Sequence, residues 1–210
     1  LRKWNTEHMV KKPTAVLLLL ATAILWSFGG VLIKLVDWNP VAIAGMRSAI
    51  AALFMLSVIR RPKITWSFPQ IGGALCYAAT VILFVWANKL TTSANAILLQ
   101  YTAPIYVALL GAWFLKERVK LSDWITIFFV LGGIVLFFFD KLSAGDVYGN
   151  VFSIISGVTF AGMIVFMRSQ KDASPLESAF LGNVVTAIIG IPFMFGSMPD
   201  LSSWIALIIL

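Results

Sequence analysis

A positively charged side chain lies deep inside one of the long apolar segments of this sequence. Arg47 falls seven residues after Pro40, where that segment begins, and this places it about 10 Å along a helix. A cation at such a depth costs at least about 2.5–3.5 kcal/mol on insertion scales, so we expect it to face a partner or a water-filled cavity. The alternative is a structural arginine whose head group reaches the surface or bonds backbone carbonyls. The sequence leaves both roles open.

A second group of candidate binding residues surrounds Pro104, in the middle of the apolar segment 92–115. Proline has no N–H, so it frees a carbonyl oxygen one turn earlier and kinks the helix. Gln100 and Tyr101 lie just before it, and a glutamine amide in lipid needs a partner on another helix or on a ligand. Asn95 lies on another stripe of the same segment. The sequence does not decide which stripe faces the centre of the molecule.

The remaining candidates are aromatic, hydroxyl and amide side chains in other apolar segments. Tyr77, Thr80 and Phe84 share one helical stripe, which suits a cavity for small amphipathic molecules, although aromatic residues inside bundles more often serve packing. The complete set of predicted substrate-binding residues is Trp26, Arg47, Tyr77, Gln100, Tyr101, Thr159, Phe160 and Asn183. Aromatic walls with scattered amides and hydroxyls favour neutral or zwitterionic metabolites over polyanions.

Residues suited to catalysis are scarce. The sequence printed above has one histidine, His8, and one cysteine, Cys76. These two residues provide no histidine-based metal cluster, no His-centred triad and no internal disulfide. No phosphate-binding glycine loop, zinc-protease motif or nucleophile elbow is present. We expect a protein that is not an enzyme and that holds neither a metal nor a cofactor.

The apolar segments themselves predict the fold. Hydrophobic residues make up 60% of the sequence and charged residues 12%, which is outside the range of ordinary soluble domains. A spanning helix needs roughly 20 apolar residues, and these continuous runs lack the alternation of barrel strands. The sequence predicts an all-α polytopic membrane protein with spans over residues 14–36, 40–58, 70–88, 92–115, 123–139, 147–167 and 175–195, and an eighth span that begins at residue 203.

Basic residues concentrate in alternate connections between the predicted spans. They precede the first span and follow the second, fourth and sixth, at Arg2, Lys3, Lys11 and Lys12, at Arg60, Arg61 and Lys63, at Lys116, Arg118 and Lys120, and at Arg168 and Lys171. The opposite connections hold Lys34, Lys89 and Lys141. This is the positive-inside pattern, so we predict that the N-terminal segment 1–13 is cytoplasmic. The pattern accounts for the net charge of +7 without a nucleic-acid partner.

Two parts of the sequence share a weak internal repeat. Trp26 precedes Lys34 by eight positions, as Phe160 precedes Arg168, and a proline begins both the second and the seventh predicted span. The matching positions are separated by five spans. An odd number of spans inverts the second copy in the membrane, which is the architecture of many carriers that alternate access around a central site.

Several sequence stretches form a wider pattern. They are residues 25–34, Pro40 with Arg47, residues 92–104, residues 114–118 and residues 132–136. Together they resemble the EamA-type carriers of the drug/metabolite transporter superfamily. The resemblance implies ten spans in two inverted five-helix repeats, with both termini cytoplasmic. On that pattern residues 14–139 form the first repeat, residues 147–210 form part of the second, and the sequence stops inside the eighth span, after about seven and a half spans. Met9 is a candidate start, which would make residues 1–8 an added extension.

The resemblance also implies a function. We expect a multi-pass protein of the bacterial inner membrane that moves small metabolites by alternating access, most of all amino acids or related amphipathic molecules. Its expected partners are the substrate and the lipid bilayer. The direction of transport, the coupling ion and the oligomeric state stay open. The alternative function is a membrane-embedded binding or assembly subunit that does not transport.

The predicted orientation has a direct test. Cysteines introduced at Asn39, Lys89 and Asp146 should react with a membrane-impermeant thiol reagent applied to intact cells, whereas a cysteine at Lys63 should not, because only the first three positions lie in the connections that are poor in basic residues. The reverse labelling pattern would overturn both the orientation and the inverted-repeat argument.

Overall fold

Helices make up almost all of the described chain. A computed structural model describes residues 12–117, 119–138, 146–170, 174–196 and 198–210. The helices are α1 (Lys12–Leu35), α2 (Pro40–Ile59), α3 (Phe68–Leu90), α4 (Ser93–Gln100), α5 (Ala103–Phe114), α6 (Leu121–Phe138), α7 (Val147–Ser169), α8 (Pro175–Met194) and α9 (Leu201–Ile209). Most of the predicted N-terminal segment, over residues 1–11, lies outside the described residues, as do Arg118, Lys141 and Lys171.

The helices coincide with the predicted apolar segments, so the prediction of an all-α polytopic membrane protein is confirmed. Within the described residues, six segments are long and apolar enough to cross a bilayer by length and composition. The apolar stretch Leu121–Gly133 of α6 is shorter. The protein is a multi-pass integral membrane protein, because lipid offers backbone groups no hydrogen-bond partner and helices satisfy them internally.

The fourth predicted span is a single crossing built from two helices. α4 ends at Gln100 and α5 begins at Ala103, with Tyr101 and Thr102 between them. Pro104 occupies the first turn of α5, where a missing N–H costs nothing. The kink that the sequence predicted at Pro104 therefore takes the form of a break between two helices.

Polar residues set where several helices begin. The side chains of Asn39 and Asp146 accept hydrogen bonds from the first-turn N–H groups of α2 and α7. α8 begins with a capping box, in which Ser174 and Glu177 each accept a hydrogen bond from the backbone N–H of the other. Such caps satisfy N–H groups that have no partner within the helix, and they fix the residue at which the helix begins.

Glycine residues allow the central helices to approach closely. α3 packs along α7 and beside α8, while α2 crosses α8. A Cβ atom built on Gly45 would lie 2.6 Å from the Cα of Gly190, and one built on Gly190 would lie 2.5 Å from the Cα of Gly45. Neither position accepts a side chain unless the two helices separate. This backbone contact fixes the crossing of α2 and α8, as small residues do in many membrane helix pairs.

A row of small residues gives α7 a similar contact surface. Gly149, Ser153, Gly157 and Ala161 are all buried. A Cβ atom on Gly149 would lie 2.9 Å from the backbone nitrogen of Thr91, so the chain between α3 and α4 rests directly on α7. The row thus serves close helix–helix contact, as small residues at four-residue spacing do in many membrane helix pairs.

The helix α1 packs against the rest of the bundle only near its C-terminal end. Ile33 and Val36 are buried in the cluster that contains Ile43, Val85 and Leu207. Earlier in α1 the apolar side chains are exposed, including Leu19 at 70% and Leu25 at 68%. In a membrane protein an exposed apolar helix surface is suited to contact with lipid or with further helices.

The glycine contact between α2 and α8 leads to a stability prediction. We expect Gly190→Ala to destabilise the protein by about 1–3 kcal/mol, because the added methyl group forces the two backbones apart. The matched control is Gly132→Ala on α6, where a Cβ atom meets nothing within 4 Å. The measurement is the apparent melting temperature of detergent-purified protein by fluorescence-detected size exclusion. Equal melting temperatures for the two variants would contradict the assignment of this contact.

Candidate functional site

Two predicted binding residues, Tyr77 and Asn183, meet directly between α3 and α8. The Tyr77 hydroxyl donates a hydrogen bond of 3.2 Å to Oδ1 of Asn183. The Asn183 amide nitrogen donates to the backbone oxygen of Ala179 at 3.0 Å and lies 3.6 Å from the sulfur of Met55 on α2. Three helices therefore converge on one amide side chain, which is buried.

A glycine makes room for the Tyr77 ring. A Cβ atom on Gly182 would lie 2.7 Å from both Cβ and Cδ1 of Tyr77. The ring therefore lies flush against the backbone of α8, one residue before Asn183. This contact holds the phenol in a defined orientation, because an aromatic ring packed closely against a helix backbone has few alternative rotamers.

A second polar contact joins α3 to α7. The hydroxyl oxygens of Thr80 and Thr159 lie 2.9 Å apart. Thr80 also donates to the backbone oxygen of Cys76 at 2.7 Å, and Thr159 lies 3.1 Å from the backbone oxygen of Ser156. The two hydroxyls have one proton each, so Thr80 donates to Cys76 while Thr159 donates either to Thr80 or to the Ser156 carbonyl. The pair is therefore satisfied without a ligand and can exchange one bond for a ligand group.

A third polar contact ties the broken fourth span to α7. The Gln100 side-chain amide donates a hydrogen bond of 2.8 Å to the hydroxyl of Ser156, and Ser156 donates to the backbone oxygen of Thr80 at 3.1 Å. Ser156 therefore links α4, α7 and α3. Ser156 is not among the predicted residues, because a serine inside an apolar helix commonly bonds its own backbone and gives no sign of a partner elsewhere.

The backbone break beside Gln100 also faces α7. In a continuous helix the N–H of residue 104 would bond the carbonyl of Gln100, but Pro104 has none to donate. A Cβ atom on Gly157 would lie 3.0 Å from this carbonyl oxygen. Gly157 thus lets the broken segment approach α7, and broken helices of this kind occur in membrane proteins where backbone lies inside protein or lines a cavity.

The predicted residue Arg47 lies on α2, where it is partly buried. The α2 residue in contact with Asn183 is Met55, eight residues further along the helix. The ion pair found within the described residues joins Glu117 to Arg168, at 2.7 Å, and does not include Arg47. Within the described part of the chain Arg47 therefore has no carboxylate partner, and its role in binding stays a prediction.

The predicted residue Phe160 lines a different space. An open cleft of about 420 Å³ lies between α5, α6 and α7, and its wall contains Phe160, Pro104 and Gly111. Glu117 and Arg168, the ion pair, lie at one end of the cleft. The cleft is mainly apolar apart from this end, so it adds little polar recognition to the contacts described above.

Two further predicted residues lie apart from the cluster. Trp26 is 69% exposed on the outer part of α1, and Tyr101 is 50% exposed between α4 and α5. The structure shows no contact of either side chain with Tyr77, Gln100, Thr159 or Asn183, because α1 packs only through its C-terminal end and half of the Tyr101 side chain stays exposed. Their role in binding stays a prediction.

Polar contacts close the bundle at both ends. At one end the Glu177 carboxylate accepts a hydrogen bond of 2.9 Å from the backbone N–H of Lys63, which ties α8 to the connection between α2 and α3. At the other end Lys34 donates to the backbone oxygen of Thr91 at 2.9 Å, and the Thr91 hydroxyl lies 3.1 Å from Oδ1 of Asn150. The polar cluster lies between these two layers, inside the bundle.

Comparison with known proteins places this multi-pass helical bundle in a family. The EamA-like transporter family matches residues 13–139, which is more than half of the chain. The chain belongs to the EamA-like transporter family, and the predicted family resemblance is confirmed.

Individual relatives agree with this assignment. An uncharacterized transporter of Archaeoglobus fulgidus is 27% identical over 81% of this chain and 63% of its own length. The uncharacterized transporter YwfM of Bacillus subtilis is 27% identical over 85% of this chain and 64% of its own length. The pseudopaline exporter CntI of Pseudomonas aeruginosa is 26% identical over 71% of this chain and 54% of its own length. The chain thus spans between about half and two thirds of these relatives.

The bridging role of Ser156 yields a prediction. We expect Ser156→Ala to lower stability by about 1–3 kcal/mol, because it leaves the half-buried Gln100 amide without this partner and removes the additional hydrogen bond to the Thr80 carbonyl. The control is Ser27→Ala, since the Ser27 hydroxyl is exposed and bonds only a carbonyl of its own helix. The measurement is again the melting temperature in detergent. A Ser156→Ala protein as stable as Ser27→Ala would show that the three-helix link contributes nothing.

Proposed function

We propose that the protein transports a small amphipathic metabolite across the membrane by alternating access, and that the substrate binds among α3, α4, α7 and α8. The observation that carries the proposal is the set of paired polar side chains between these helices: Tyr77 with Asn183, Thr80 with Thr159, and Gln100 with Ser156. Each pair joins a residue of the predicted first repeat to one of the predicted second repeat. A substrate that exchanged hydrogen bonds with these pairs would couple binding to the relative position of the two repeats.

The packing pattern supports alternating access. α3 contacts α7 and α8, and α9 contacts α1 and α2. If the second repeat is an inverted copy of the first, α9 is the equivalent of α3, and these two sets of contacts are equivalent as well. α2 and α8 would then be equivalent to each other and cross near the symmetry axis. Rocking of one repeat against the other about such an axis is a common mechanism of carriers built in this way.

The polar layers at the two ends support a gating role. The Glu177–Lys63 contact and the Lys34–Thr91 contact lie at opposite ends of the bundle, and each joins a helix to a connection between two other helices. In the proposed mechanism one layer opens while the other stays closed, so the central polar cluster is open to one side of the membrane at a time. Hydrogen bonds to backbone atoms suit such gates, because each contributes little net free energy and breaks at low cost.

The side chains favour amino acids or related molecules as substrates. Amide and hydroxyl groups provide hydrogen-bond donors and acceptors of low charge, and the surrounding walls are aliphatic and aromatic. The relative named as a pseudopaline exporter makes export the first direction to test. The basic connections support a cytoplasmic N-terminus and a location in a bacterial inner membrane.

Transport by the full-length protein in proteoliposomes tests the proposal. We expect uptake or release of labelled amino acids, and Tyr77→Ala or Gln100→Ala should reduce the rate at least tenfold, because each loses a hydrogen bond within the cluster. The matched control is Tyr148→Ala, whose side chain is 72% exposed at the start of α7. Folded yield is measured separately, so that a loss of activity is not a loss of protein.

The contrary outcome is equally specific. Absence of transport across amino acids, purines and amphipathic amines, together with a partner protein that co-purifies in a fixed ratio, would favour a binding or assembly subunit. Full activity of both the Tyr77 and the Gln100 variant would place the substrate elsewhere.

A further inference from the structure

We propose that the cleft between α5, α6 and α7 binds one phospholipid whose headgroup has both a phosphate and a primary ammonium group, as in phosphatidylethanolamine. One acyl chain would occupy the apolar part of the cleft, and the headgroup would meet the Glu117–Arg168 ion pair at its end. The proposal depends on the membrane location of the protein and not on what the protein transports.

The cleft has the length of an acyl chain in one leaflet. On α7 it is lined by Phe160, Ile164 and Arg168, which follow each other at one-turn spacing. Phe160 lies near the middle of α7, and Arg168 lies in its last turn. Eight residues of helix cover about 12 Å, and one leaflet provides half of the roughly 30 Å hydrocarbon core. The cleft therefore runs from the middle of the membrane to the level at which headgroups begin.

Small residues and a diverging helix leave this space open. Ala108, Gly111 and Ala112 line it on α5. Among the described helices α6 packs mainly on α4, and its first half lines the cleft through Asp123 and Ile127. The resulting volume is about 420 Å³. An apolar void loses dispersion contacts, so an acyl chain of the bilayer is favoured to fill it. Selectivity among lipids must then come from the headgroup.

The end of the cleft has charges of both signs. Within the described residues its charged lining consists of Glu117, Asp123 and Arg168. Arg168 Nη2 lies 2.7 Å from Oε1 of Glu117, and both side chains are about half exposed. The Asp123 carboxylate accepts a hydrogen bond from the backbone N–H of Lys120. One cation and two carboxylates match a zwitterionic headgroup better than a purely anionic one, because further negative charge would be repelled.

The ion pair can bind a headgroup without breaking. A guanidinium has five N–H donors and a carboxylate has two acceptor oxygens. Arg168 therefore keeps donors for a phosphate, a group that arginine binds well. The second oxygen of Glu117, Oε2, lies 3.5 Å from the position that a Cβ atom of Gly111 would take, so it lies against the cleft wall. There it can accept a hydrogen bond from an ammonium group held next to the phosphate.

The backbone after α5 fixes Glu117 in this position. Lys116 adopts a left-handed conformation with φ of 53°, which reverses the chain at the end of the helix. The backbone N–H of Glu117 then donates a hydrogen bond of 3.3 Å to the carbonyl oxygen of Gly111. The chain thus turns back over the last turns of α5, and this brings the Glu117 carboxylate to the cleft.

Lipid-dependent stabilisation of the full-length protein tests the headgroup. Delipidated protein in detergent is titrated with phosphatidylethanolamine, phosphatidylcholine or phosphatidylglycerol with identical acyl chains. Phosphatidylcholine has the same net charge as phosphatidylethanolamine, but its methylated ammonium has no N–H donor. We expect phosphatidylethanolamine to raise the melting temperature at about one tenth of the concentration that the other two need, because a charge-assisted hydrogen bond adds about tenfold in affinity. Equal stabilisation by phosphatidylethanolamine and phosphatidylcholine, or stronger stabilisation by phosphatidylglycerol, would overturn the proposal.

Variants of the ion pair locate the headgroup. Glu117→Gln should reduce the effect of phosphatidylethanolamine to that of phosphatidylcholine, because it weakens the contact with the ammonium group. Arg168→Gln should weaken the effect of both lipids, because both have the phosphate. Arg61→Gln, an exposed residue on the same predicted side of the membrane, is the control. A folded Glu117→Gln protein with an unchanged lipid preference would refute the headgroup site.

Filling the cleft locates the acyl chain. Ala112 lines the cleft and is exposed, so a leucine fits there without displacing the core. We expect Ala112→Leu to lose most of the stabilisation by all three lipids, whereas Ala23→Leu, on the exposed part of α1, should keep it. Equal responses of the two variants would place the lipid elsewhere. If a variant does not fold, the comparison of the three lipids on the unaltered protein decides alone.

Discussion

Close backbone contact at glycine residues is the constraint on which this structure depends. Gly45 and Gly190 let α2 and α8 cross with their backbones in contact, and Gly149 lets the chain between α3 and α4 rest on α7. Apolar burial alone drives little association between helices in lipid, because the acyl chains are as apolar as leucine. Close packing and hydrogen bonds between helices must provide the attraction instead, and both require the backbones to approach.

The polar cluster is a consequence of that approach. Gly182 admits the Tyr77 ring against α8, and this brings its hydroxyl to Asn183 on the same helix. Gly157 admits the broken chain beside Gln100, whose amide reaches Ser156 one residue away on α7. In both places a glycine stands directly beside the residue that makes the hydrogen bond. Substitution at these glycines would therefore remove a polar contact as well as a packing contact.

Arg47 differs from the polar groups of the cluster, which have hydrogen-bond partners. The hydroxyls and amides of the cluster each have partners on a neighbouring helix, whereas the guanidinium has no carboxylate within the described part of the chain. A cation inside a membrane protein is costly unless it meets an opposite charge, backbone oxygens or water. Arg47 differs in this respect from the neutral groups, whose hydrogen bonds lie between the helices.

The sequence by itself determined the helices, the membrane location and the family, because these follow from local hydrophobicity, capping residues and short motifs. It also identified Tyr77, Gln100, Thr159 and Asn183 as polar groups that need partners. Only the tertiary structure decided which partners they have, as the link through Ser156 and the separation of Trp26 illustrate. Helical periodicity indicates which residues share a face. Which helix packs against that face, and which residues of the two helices lie at the same level, depend on contacts between segments that are distant in the sequence. A local sequence pattern does not determine those contacts.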